Sequence, residues 1–131
     1  MAKQDRLISI RAIALSAALL APFSGGAQAG EADVVKVDVR KTGDTYRFSV
    51  AVLHADTGWD HYANAFEVVG PDGTVLATRV LAHPHVNEQP FTRSLGNVTI
   101  PDGVQSVTVR AVDSVHGRGG AEIVVNLNAI N

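Results

Sequence analysis

Apolar side chains recur at every second position over most of this sequence, and no other property constrains the fold as tightly. From Ala32 onward no stretch shows the 3.6-residue period of an amphipathic helix, so the chain reads as all-β. Val35, Val37 and Val39 alternate with Lys36, Asp38 and Arg40 in a first strand. Tyr46, Phe48, Val50 and Val52 alternate with Arg47, Ser49 and Ala51 in a second, after a turn at Thr42-Gly43-Asp44. A third strand is expected over 64–69, ending at Gly70-Pro71-Asp72-Gly73, where proline presets φ and glycine accepts a positive one. A fourth follows over 74–81. Residues 91–100 form a fifth, broken near Gly96, before a second tight turn at Pro101-Asp102-Gly103. The sixth, 105–113, buries Val107, Val109 and Ala111, and the seventh, 121–127, places Ile123, Val125 and Leu127 on one side.

Seven short strands with turn signals at this spacing, in about 100 residues, form the pattern of a two-sheet sandwich. The run Val107-Thr108-Val109-Arg110-Ala111-Val112-Asp113, then a glycine-rich loop and a last alternating strand, resembles the end of a fibronectin type III domain. The expected architecture is therefore a seven-stranded immunoglobulin-like or fibronectin type III-like sandwich. That resemblance implies a fold and no function.

The first 29 residues stand outside this pattern. Lys3, Arg6 and Arg11 against Asp5 make a positive start, residues 13–21 a short apolar run, and Ala27-Gln28-Ala29 a small-x-small cleavage signature. The apolar run is nearer ten than twenty residues and meets Pro22, Gly25 and Gly26, which disfavours a retained membrane span. The reading is a cleaved signal peptide over 1–29 and a single β-sandwich domain over 30–131, periplasmic or secreted. Eight Lys and Arg against twelve Asp and Glu leave that mature part at −4, so nucleic acid is not an expected partner. Hydrophobic residues at 46% supply a core, which must suffice because there is no cysteine to form a disulfide.

Strand parity gives the five histidines a location. If each strand reverses direction, successive connections alternate between the two ends of the sandwich. The odd ones, 42–44, 70–73 and 101–104, are short and carry turn chemistry; the even ones, 55–63, 83–90 and 114–120, are longer. His54 and His61 fall at the first long connection, His83 and His85 in the second, and His116 in the third. All five are thus expected at one pole, where long loops on a rigid scaffold carry function. Asp56, Asp60, Glu88 and Asp113 gather there too, with Arg118 beside them.

Neutral imidazole is the commonest side-chain ligand of divalent transition metals, and nearby carboxylates ligate or orient the rings. His83-Pro84-His85 is the sharpest element: in extended backbone, which proline favours, residues two apart share a face roughly 6 to 7 Å apart. The ligand candidates are His54, His61, His83, His85 and His116, supported by Asp60 and Asp113. The sole methionine is Met1, so the mature part has no soft sulfur donor. Zinc or copper(II) suits such nitrogen and oxygen donors, whereas Cu(I), blue-copper and iron-sulfur sites do not. The competing reading makes the histidines solvated loop residues, with His54 continuing the inward series 46, 48, 50, 52 as a cap on the core.

Other patterns are weaker. Asp113, Ser114 and His116 have triad residue types but no nucleophile elbow, and Gly117-Arg118-Gly119-Gly120 opens no helix that would hold a phosphate. Asn97-Val98-Thr99 matches a glycosylation sequon. Trp59 and Tyr62 read as aromatics packed over the sandwich end.

The blocks HADTGWDHYA (54–63), HPHVNEQPFTRS (83–94) and DSVHGRGG (113–120) resemble recurrent blocks of a family of small exported bacterial proteins. The resemblance spans most of the mature chain and implies export only. Copper/zinc superoxide dismutases are similar in joining a β-sandwich to a His-x-His copper pair, but this chain lacks their disulfide cysteines and their histidine spacing. Three functions therefore stand: an exported, non-enzymatic domain binding a divalent metal ion, which it sequesters or delivers to another periplasmic protein; a protein- or glycan-interaction module without metal; and a copper-dependent oxygen-redox enzyme.

Overall fold

Each alternating run forms a strand in the computed structural model, which describes residues 30–130. The expected signal segment 1–29 lies outside the described residues. The strands are β1 (Asp33–Thr42), β2 (Thr45–Leu53), β3 (Ala63–Val69), β4 (Val75–Val80), β5 (Phe91–Val98), β6 (Ser106–Asp113) and β7 (Ile123–Asn126). A 3-10 turn over Leu127–Ala129 follows β7. There is no α-helix among the described residues.

The strands make two antiparallel sheets, ordered β1-β2-β5 and β4-β3-β6-β7. Their inner faces share one apolar cluster in which Phe48, Val50 and Val52 of β2 meet Phe66 and Val68 of β3 and Val107 and Val109 of β6, all at or near zero exposure. Phe91 of β5, Leu81 after β4 and Leu127 after β7 close its edges. A buried Phe truncated to Ala in such a core costs ~3–5 kcal/mol, so these three-stranded and four-stranded halves depend on each other.

Local irregularities shift two expected boundaries. The pairing of β1 with β2 slips between Val34 and Lys36, so Val35 is the extra residue of a bulge. Val34 is therefore buried and Val35 is 44% exposed, although simple alternation groups Val35 with Val37 and Val39. In β5 the break expected near Gly96 appears as a register slip opposite Tyr46 and Phe48, with Asn97 at φ 55°, and the strand ends at Val98.

The connections obey the expected parity. Residues 54–62 and 81–90 cross between the sheets and 114–122 joins β6 to β7, all at the same end. Backbone and side-chain bonds tie the three together: Ser114 N–H donates to Tyr62 O, His54 N–H to Gln89 Oε1, and His85 N–H to Asp56 Oδ2.

Candidate metal centre

Three loops place the central residues. His54 directly follows β2, so its ring continues the inward face of that strand and is 3% exposed. His61 lies in a narrow turn in which its N–H donates to Gly58 O and its O accepts from Thr57 N–H. Asp113 ends β6 at 2% exposure, and its Oδ1 accepts the N–H groups of Val115 (2.8 Å) and His116 (2.7 Å). Paired backbone bonds between Asp113 and Gly117 fold the chain back there. His116 is thereby held over the carboxylate, its Nδ1 3.3 Å from Asp113 Oδ2.

The protons around His54 can be assigned. Asp56 Oδ1 accepts from Ala63 N–H at 3.0 Å and Oδ2 from His85 N–H at 2.7 Å, which marks an ionised carboxylate. His54 Nδ1, 2.6 Å from Asp56 Oδ1, is therefore the donor, and a neutral His54 presents a lone pair at Nε2. That atom faces His61 Nε2 at 3.2 Å and the carbonyl oxygen of Gly30 at 3.0 Å. His61 Nε2 lies 3.2 Å from Asp113 Oδ1 as well.

One proton on His61 Nε2 serves a single neighbour, leaving the Gly30 oxygen and His54 Nε2 opposed lone pair to lone pair. A cation placed between the two would relieve that contact. An ion about 2.0–2.1 Å from each ligand sets neighbouring ligand atoms roughly 2.9–3.4 Å apart; the two separations from His61 Nε2 fall in that range, whereas His54 Nε2 and Asp113 Oδ2 are 4.0 Å apart and would have to draw together. One ligand atom each of His54, His61 and Asp113 lies within 4.8 Å of the others, with His54 and Asp113 buried and His61 half-buried, and this group could hold a metal ion. Burial raises the Asp113 carboxyl, but the amides of His116 and Val115 and the rings of His116 and His54 outweigh it and hold the group below the usual carboxylate range. It is thus an anion ready to ligate.

The other candidate residues lie apart from this group. His83 and His85 do share a face, with ring centroids 4.6 Å apart. The His85 ring stacks on Phe91 at 3.9 Å, however, and its Nε2 accepts from Arg93 Nη2 at 2.9 Å, so the nitrogen is already engaged. Burial first, then the charges of Arg93 and His83, push the His85 pKa down, favouring the neutral ring. His83 is exposed and donates from Nδ1 to Pro84 O. Asp60 sits at the exposed tip of the Gly58–His61 turn; Trp59 meets Tyr62 edge-on at 5.5 Å but is 67% exposed, so it does not pack over the sandwich end as expected, because that turn carries it away from the core. The carboxylate that orients His54 is instead Asp56, whose signal was its spacing two residues beyond the histidine.

A second carboxylate fixes the loop that carries His116. Glu67, on β3 and 7% exposed, accepts from Arg110 Nε at 2.7 Å and from Arg118 Nε and Nη2 at 2.8 Å each. The Arg118 bond, against the opposing effect of burial and with help from Arg110, holds the Glu67 pKa below its ordinary value.

No family model matches the chain. A candidate lipoprotein of Halomicrobium mukohataei is 40% identical over 97 residues, which are 73% of this chain and 47% of that protein. The chain thus spans about half the length of the relative it matches. Among solved structures, hypothetical protein PH1083 of Pyrococcus horikoshii overlays with a TM-score of 0.49 at 17% identity, over 74% of this chain and 88% of its own. A superoxide reductase of Giardia intestinalis overlays at 0.41, again 17% identical, over 70% and 95%. Both overlaps are too loose to carry any residue's role across.

Proposed function

We propose that this protein is an exported domain that binds a divalent transition metal, zinc or copper(II), through His54, His61 and Asp113, with His116 at the solvent side. The convergence of two imidazole nitrogens and a carboxylate, with His61 Nε2 3.2 Å from both His54 Nε2 and Asp113 Oδ1 and the His54 ring oriented from behind by Asp56, carries the reading. The donors are nitrogen and oxygen only, which suits those two ions over soft-metal chemistry. The metal is sequestered or delivered in the periplasm without turnover. A relative described as a candidate lipoprotein supports the export part of the reading.

The test is a titration of metal-free protein with Zn(II) and Cu(II). One equivalent should bind with Kd below about micromolar, and His61→Ala should abolish that binding. Absence of such binding would sink the metal reading and favour a metal-free interaction module.

A further inference from the structure

The segment leading into β1 is packed tightly beside the candidate centre: Ala32 is 1% exposed, Val34 N–H donates to Ala121 O at 2.9 Å, and Asp33 Oδ1 accepts from Ala121 N–H at 2.7 Å. The β6–β7 loop closes over it so nearly that a Cβ on Gly120 would lie 2.0 Å from the Ala32 carbonyl oxygen. Next to these contacts, the Gly30 carbonyl oxygen lies 3.0 Å from His54 Nε2, the same ring nitrogen that faces His61 Nε2 at 3.2 Å.

Gly30 is also the residue that follows Ala27-Gln28-Ala29, the small-x-small cleavage signature. Hydrolysis of the Ala29–Gly30 bond adds one water, leaving a carboxylate on Ala29 and a free α-amine on Gly30. Amine nitrogen and carbonyl oxygen of one residue can close a small chelate ring on a divalent ion. An amide nitrogen in the uncut chain has its lone pair delocalised into the carbonyl and, while it keeps its proton, is a far weaker donor than a free amine. We infer that the α-amine and carbonyl of Gly30, released by signal cleavage, are metal ligands that complete the His54/His61/Asp113 centre. The inference rests on the metal reading above and adds a regulation to it: the precursor has an incomplete donor set, so full affinity arises only after export and processing.

The described residues contain both sheets and the whole apolar cluster, so a mature form starting at Gly30 retains the fold. Two such proteins are compared, released from a cleavable fusion with either Gly30 or one additional alanine at the front. Cu(II) affinity is read by competition and the ligand set by electron paramagnetic resonance, with His61→Ala as a third sample. The extra alanine should weaken binding at least about tenfold and remove one nitrogen from the copper hyperfine pattern. Equal affinity and an unchanged spectrum for the two forms, with binding still lost in His61→Ala, would overturn the amine ligand while leaving the centre intact. No binding by either form would overturn both.

Discussion

Both oxygens of Asp56 are engaged by backbone amides, and one of them also takes the His54 Nδ1 proton. Asp56→Asn turns a donor toward groups that already donate and frees the His54 tautomer. Loss of such an orienting carboxylate lowers metal affinity by ~10–100-fold, and the same competition titration should show it. His83→Ala, in contrast, should leave affinity unchanged. The five histidines were legible as one polar cluster because strand parity places loops. Which of them converge was not, since His85 is drawn onto Phe91 and Arg93 by contacts with β5 that no local spacing announces. The His-x-His pair thus drew attention away from His54-Ala55-Asp56.

Two elements hold the centre in shape. The β6–β7 loop is pinned by Glu67 to Arg118, and the pre-β1 segment by Gly120 against Ala32. Gly120→Ala forces a Cβ into backbone, so that segment must move; the expected result is a lower Tm together with weaker metal binding, read by thermal unfolding and titration. Glu67 has a folded pKa below its unfolded value of about 4.5. Its contribution is therefore complete above that value and is lost as pH falls below it toward the folded pKa. Thermal unfolding followed by circular dichroism should show the wild-type Tm falling as pH drops below about 4.5, and Glu67→Gln, which removes the titrating group, should flatten that fall. At this scale periodicity located all seven strands. It missed the outward turn of Val35 because a bulge adds a residue without breaking the apolar run.

For the whole molecule, a sandwich without disulfides gathers buried carboxylates and imidazole rings at one end, where a bound cation would add to stability. Binding to the folded state alone stabilises by about 2.7 kcal/mol at a hundredfold excess over Kd, a Tm rise of roughly 10–20 °C for a domain this size. Calorimetry of metal-free and zinc-loaded protein should show that rise, and His61→Ala should lose it. The most direct measurement is anomalous diffraction at the zinc edge from a zinc-loaded crystal. One strong peak is expected within bonding distance of His54 Nε2, His61 Nε2 and an Asp113 oxygen. A peak between His83 and His85, or none at this end of the sandwich, would contradict that expectation.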